Sequence, residues 1–131
     1  MKLQLDTLDG HRIDHKIVGN ISDQKSKLHL MARSLIKEIY PLSLVYEEVR
    51  VPIYKRKYLV FDFFLPQFYI FIEIQGEQHE KYVSYFHKSK EGWAKASTRD
   101  KAKAEWAALN NFLLIEFKHN ESIEEWCKKI K

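Results

Sequence analysis

The chain reads as a single α/β domain, a central mixed sheet flanked by helices. Three observations predict that class. Runs rich in Phe, Ile, Val and Tyr at 60–65, 69–75 and 112–117 have the length and composition of buried strands. Segments with helix-type apolar spacing precede the first run and separate the second from the third. The Gln75-to-Phe112 connection is long enough for a right-handed crossover, which makes the strands it joins parallel neighbours. At 131 residues the chain can bury a core, and no repeat or interdomain linker divides residues 1–131.

Each element has its own signal. Residues 1–18 are expected as an N-terminal hairpin around Asp9-Gly10. A loop centred on Gly10 sets Leu3 opposite Ile17 and Leu5 opposite His15. Ser22 or Asp23 caps a helix that runs to Ile39 and is stopped by Pro41. Its apolar stripe is Leu28, Met31, Ala32, Leu35 and Ile39. Ser43 to Ile53 follows as a strand, with Val45, Glu47, Val49, Val51 and Ile53 on one face and Leu44, Tyr46 and Glu48 on the other. Tyr54-Lys55-Arg56-Lys57 is a basic turn into the next strand.

Residues 76–96 show no clean periodicity. They interleave Tyr82, Tyr85, Phe86 and Trp93 with Lys81, His87, Lys88, Lys90 and Lys95. Two readings stand: a nucleic-acid surface, with cations on phosphate and rings on bases, or a long loop whose aromatics fold back onto the domain. Ser97 with Asp100 resembles a capping box and opens a helix to Leu109, ended at Asn110-Asn111. Its inward stripe is Ala102, Trp106 and Leu109. Asn120 or Ser122 caps a final short helix containing Ile123, Trp126 and Ile130.

Composition narrows the function classes. The lone Cys127 excludes an internal disulfide framework and a cysteine zinc cluster. Histidines 11, 15, 29, 79, 87 and 119 lack a His-Glu-x-x-His spacing, and most read as surface polar residues. Neither a membrane-length apolar run nor a signal-peptide pattern is present, so a cytoplasmic protein with no membrane partner is expected. The net charge of +4 permits nucleic-acid binding.

The chemistry concentrates between 61 and 76. Val60–Leu65 and Tyr69–Gln75 are joined across Pro66-Gln67, a turn signal. A turn centred between Gln67 and Phe68 sets Asp62 directly opposite Glu73, with Cβ atoms about 5 Å apart. Alternation puts Gln75 on the face of Glu73 and sends Phe61, Phe63, Leu65, Ile70, Ile72 and Ile74 the other way. Two carboxylates this close, in apolar surroundings, repel unless protonated or bridged by a cation. Carboxylate oxygens with a backbone carbonyl, Ile74 being the natural donor, suit Mg²⁺ or Mn²⁺. The alternative is a structural Asp–Glu pair at a solvated sheet edge.

Asp62, ten intervening residues, then Glu73-Ile74-Gln75 resembles the core motif of the PD-(D/E)XK nuclease superfamily. The longer run through Gly76-Glu77-Gln78-His79, with Arg99-Asp100-x-x-Lys103-x-x-Trp106 and Phe112-Leu113-Leu114-Ile115, resembles its very-short-patch-repair-like branch and phage relatives. The likeness spans Leu44 to Phe117, residues 44–117 being the nuclease core. It implies a restriction-endonuclease-like fold and a Mg²⁺-dependent (or Mn²⁺-dependent) DNA endonuclease or nickase, with RNA also admissible as substrate. Gln75 departs from the pattern, standing where Lys is commonest; in some members that Lys has moved to a nearby helix. The resemblance also brings in Glu38, since a first-helix acid often approaches the metal; a solvated helix-end Glu is the other reading.

Within that chemistry Asp62 and Glu73 hold the metal, and Gln75 orients water without supplying charge. Lys103 is the candidate cation and Arg99 the second; an ion pair of Lys103 with Asp100 is the alternative. His79 has two readings: orienting water or protonating a leaving group, or bonding the loop backbone. Lys55, Arg56, Lys57, Lys81, Lys88 and Lys90 join Arg99 as candidate phosphate contacts, a solvated hairpin tip being the other reading of Lys55, Arg56 and Lys57. A homodimer would permit two-strand cutting. The runner-up reading is a catalytically inactive nucleic-acid-binding module on the same fold.

Overall fold

The computed structural model describes residues 1–76 and 90–131, with side chains of 90–97 not described. The described elements are β1 (Lys2–Asp6), β2 (Arg12–Lys16), α1 (Lys27–Ile39), β3 (Tyr46–Tyr54), β4 (Lys57–Leu65), β5 (Ile70–Gln75), α2 (Lys90–Leu109), β6 (Leu113–Lys118) and α3 (Ile123–Ile130). A four-stranded sheet runs in the order β3-β4-β5-β6, and β1 and β2 form a separate hairpin. β3, β4 and β5 are antiparallel in succession, whereas β5 and β6 are parallel, as the long connection requires. None of the described helices is long and apolar enough to cross a membrane.

Both faces are covered around the centre of the sheet, which is why β5 and the second half of β4 are largely apolar. On one face Val49, Val51, Phe61, Phe64 and Phe71 pack with Ala102 and Trp106 of α2 and with Leu5 of the hairpin. On the other, Phe63, Leu65, Ile70 and Ile72 pack with Ala32, Leu35 and Ile36 of α1 and Trp126 and Ile130 of α3. Phe61 therefore leaves the face it was expected to share with Phe63 and Leu65. Glu47 likewise parts from Val49. The cause is local: Glu48 has φ 51°, and no pair forms at that level between Glu47↔Phe63 and Val49↔Phe61. Both strands reverse their alternation there, beside Asp62. A left-handed non-glycine residue costs about 1–2 kcal/mol, so the packing on both faces must over-determine it.

Three further expectations are corrected. The hairpin pairs Leu3 with His15 and Leu5 with Ile13, two residues off the expected register. Its turn centres on Asp9, whose carboxylate takes the Thr7 hydroxyl while Gly10 adopts φ 84°. A slip of two preserves the faces. Helix α1 is capped by Ser26, whose Oγ accepts the His29 N–H; Ser22 Oγ instead accepts the N–H of Gln24. Helix α2 starts at Lys90, so Ser97 lies inside it. Its weak amphipathicity hid the first turns. Its end is as expected, with Asn111 at φ 61°. There Asn110 both accepts from the Asp6 N–H and donates to the Asp6 carbonyl, clamping β1 to the helix end.

Candidate metal centre

The β4–β5 register is the expected one: Phe63↔Ile72, Phe64↔Phe71 and Leu65↔Ile70. It is held by a 3₁₀ turn over Pro66–Phe68 and a left-handed Tyr69. The ladder stops one pair short of Asp62 and Glu73. Instead, Asp62 Oδ2 accepts the Ile74 N–H at 2.8 Å, a side chain substituting for a strand neighbour. The two acids thus flank a fork between β4 and β5.

Glu73 is buried, 7% exposed, on the α2 face of the sheet. Lys103 of α2 reaches over Phe61, its Nζ 3.1 Å from Glu73 Oε1 and 2.6 Å from the Val60 carbonyl. Burial, reinforced by the charge of Asp62, pushes the Glu73 carboxyl up to about 8 against the pull of Lys103. Lys103 alone does not offset both acids. Gln75 is buried at the end of β5, where its carbonyl accepts the His119 N–H.

Among the described residues, no three His, Cys, Asp or Glu side chains gather closely enough to hold a metal ion. Two carboxylates remain, with the Ile74 backbone tied to one of them. That hard oxygen set fits Mg²⁺ or Mn²⁺, which retain several waters and need few protein ligands. The raised Glu73 fits as well, since a second positive charge there would remove the reason for its proton.

Other candidates lie elsewhere. Glu38 is exposed and lines a groove between α1 and α3 with Leu35 and Ile123, away from the acid pair. It is not brought to the site, because the helix turns its Ala32–Leu35–Ile36 stripe to the sheet. Arg99 is exposed on α2, one turn before Lys103. Lys55, Arg56 and Lys57 are exposed at the β3–β4 tip, with the Lys55 N–H on the Asp9 carboxylate. His79, Lys81 and Lys88 lie outside the described residues, as does the side chain of Lys90.

One group was missed from sequence. His29 is buried, not a surface residue, and stacks on Phe63 at 4.5 Å. Its Nε2 lies 2.8 Å from Glu47 Oε1, and its Nδ1 faces Asp62 Oδ1 at 4.0 Å. Arg33 grips both oxygens of Glu47 at 2.9 Å. A polar chain therefore runs from Arg33 through Glu47 and His29 to Asp62. The available signal was the helical spacing of His29 with Arg33, four residues apart beside the apolar stripe.

No family model matches the chain, and no solved structure matches it. A 58-residue stretch is 36% identical to the uncharacterized protein 307L of Invertebrate iridescent virus 6. It covers 44% of this chain and 29% of that protein, so the chain spans under a third of the relative's length.

Proposed function

We propose that this chain is a divalent-metal-dependent endonuclease or nickase of restriction-endonuclease-like fold, cleaving phosphodiester bonds in DNA. The observation that carries the reading is the Asp62–Glu73 fork, with a buried, proton-retaining Glu73 and Lys103 reaching in from α2. Bound between the acids, Mg²⁺ or Mn²⁺ would supply Lewis-acid polarisation of the phosphate and an activated water. Asp62 is oriented by the Ile74 N–H on one oxygen and faced by His29 on the other. Lys103 supplies the positive charge that Gln75 lacks, where negative charge builds up on the phosphoryl oxygens. Gln75, on the Glu73 face, retains donor and acceptor capacity for a water. RNA remains an admissible substrate, and a monomer with one such centre nicks rather than cuts both strands. Its setting would be the cytoplasm, that of the host if the chain is phage-encoded.

Gln75 in the usual lysine position favours a second reading, a non-cleaving nucleic-acid-binding module. Incubation with supercoiled plasmid and Mg²⁺ or Mn²⁺ separates the two. The nuclease reading expects open-circular product from the wild type and none from Asp62→Ala or Glu73→Ala. Salt-sensitive binding without any cleavage would leave the binding module.

A further inference from the structure

We propose that the open face of the β3–β4 ribbon, beside the acid pair, seats a single-stranded nucleic-acid segment, with Tyr58 as stacking ring and Arg50 as its cation. The proposal deepens the nuclease reading, on which it rests only for where the scissile phosphate lies.

The face exists because of the reversal at Glu48 and Asp62. Beyond it, Leu59 and Phe61 point into the α2-side core, so Tyr58 and Val60 point away from it. They are 37% and 46% exposed. On β3, Val49 and Val51 are buried, and Arg50 between them is exposed opposite Val60. Helix α1 covers Phe63 on that side of the sheet, yet Val60, three residues earlier, is left open.

The side chains on this face are arranged in order. Arg50 places its guanidinium 4.7 Å from the Tyr58 ring centroid. His15 of β2 steadies the pair, its Nε2 2.8 Å from the Arg50 carbonyl and its ring 5.9 Å from that of Tyr58. Lys55, Arg56 and Lys57 stand exposed at the outer end of the ribbon. At the inner end the Val60 side chain leads to Asp62, while Lys103 holds the Val60 carbonyl from the α2 side of the sheet. Cations at the outer end and at the ring itself, with an apolar side chain next along the strand, match a nucleic-acid strand whose phosphates need charge and whose bases need a flat partner. An exposed ring can stack only on a base that has left its own stack, which selects single-stranded over duplex nucleic acid.

The test is anisotropy of a fluorescein-labelled oligothymidine single strand, with the full chain and EDTA present so that no cleavage intervenes. Tyr58→Ala should weaken binding about tenfold, and Tyr58→Phe should stay within about twofold of wild type. Arg50→Ala should reduce the slope of log affinity against log salt by about 0.7. Circular dichroism of each variant should match wild type, as expected for exposed positions. The proposal is overturned if the wild type does not bind the strand, or if Tyr58→Ala binds as tightly as wild type. Binding through Tyr58 by a chain that never cleaves with Mn²⁺ upholds this seat and defeats the nuclease. Cleavage by a chain whose binding ignores Tyr58 does the reverse.

Discussion

Lys103 Nζ lies 3.1 Å from Glu73 Oε1 and 2.6 Å from the Val60 carbonyl, so one lysine joins α2 to both strands of the fork. In the proposed nuclease it would supply the positive charge that Gln75 lacks. Its carbonyl contact fixes the ammonium above the acids, and its stem crosses the Phe61 ring at 5.2 Å.

Lys103→Met should therefore lower plasmid nicking by about two orders of magnitude, the scale of losing one transition-state charge partner. The thermal midpoint should move far less, since the aliphatic stem is kept. Initial rates with Mn²⁺, alongside thermal melts, check this.

Glu73 gives a pH dependence of definite sign. Its ordinary value is 4.5, and in the metal-free protein it stands at about 8. An acid raised on folding contributes stability that is complete below the unfolded value and lost as pH climbs through the folded one. Metal-free wild type should thus lose stability between about pH 4.5 and 8 relative to Glu73→Gln. Urea midpoints of the two proteins across that range measure it. Parallel slopes would contradict the assignment.

Metal binding to a protonated Glu73 must also release a proton. Affinity for Mn²⁺ should rise toward pH 8, and calorimetric heats should differ between buffers of unlike ionisation enthalpy. Glu73→Gln should abolish that buffer dependence.

Glu47 is held by Arg33 and His29, with Glu47 and His29 both buried. Glu47→Ala strands those two partners and should cost about 3 kcal/mol, read from urea unfolding. It should also weaken Mn²⁺ binding, because His29 loses the bond that aims it at Asp62.

Gly19 sits against the same residue. A Cβ there would stand 3.0 Å from the backbone N and O of Glu47, and Asn20 N–H already donates to that carbonyl at 2.7 Å. Gly19→Ala should destabilise the protein by about 1–3 kcal/mol, since strand backbone cannot step aside cheaply.

Much of this centre was legible in the sequence because it rests on local rules. Pro66-Gln67 between two apolar runs set the β4–β5 register, and with it the proximity of Asp62 to Glu73. The helical spacing of Lys103 ahead of Trp106 put its ammonium toward the sheet. What stayed hidden depends on tertiary context. The left-handed Glu48 follows from packing on both faces, not from its own preference, and it sent Phe61 to the other core. Burial of His29 needed Glu47 from a distant strand. Glu38 took its solvated reading, and the choice was not legible because an acid on α1 carries no record of which way the helix rolls.

The proposed nuclease requires Asp62 and Glu73 to share a divalent ion. Electron paramagnetic resonance of Mn²⁺ titrated into the protein at pH 8 measures this directly. The free-ion signal should be quenched by wild type and restored with Asp62→Ala and with Glu73→Ala. Equal Mn²⁺ uptake by all three proteins, or none by the wild type, would contradict it.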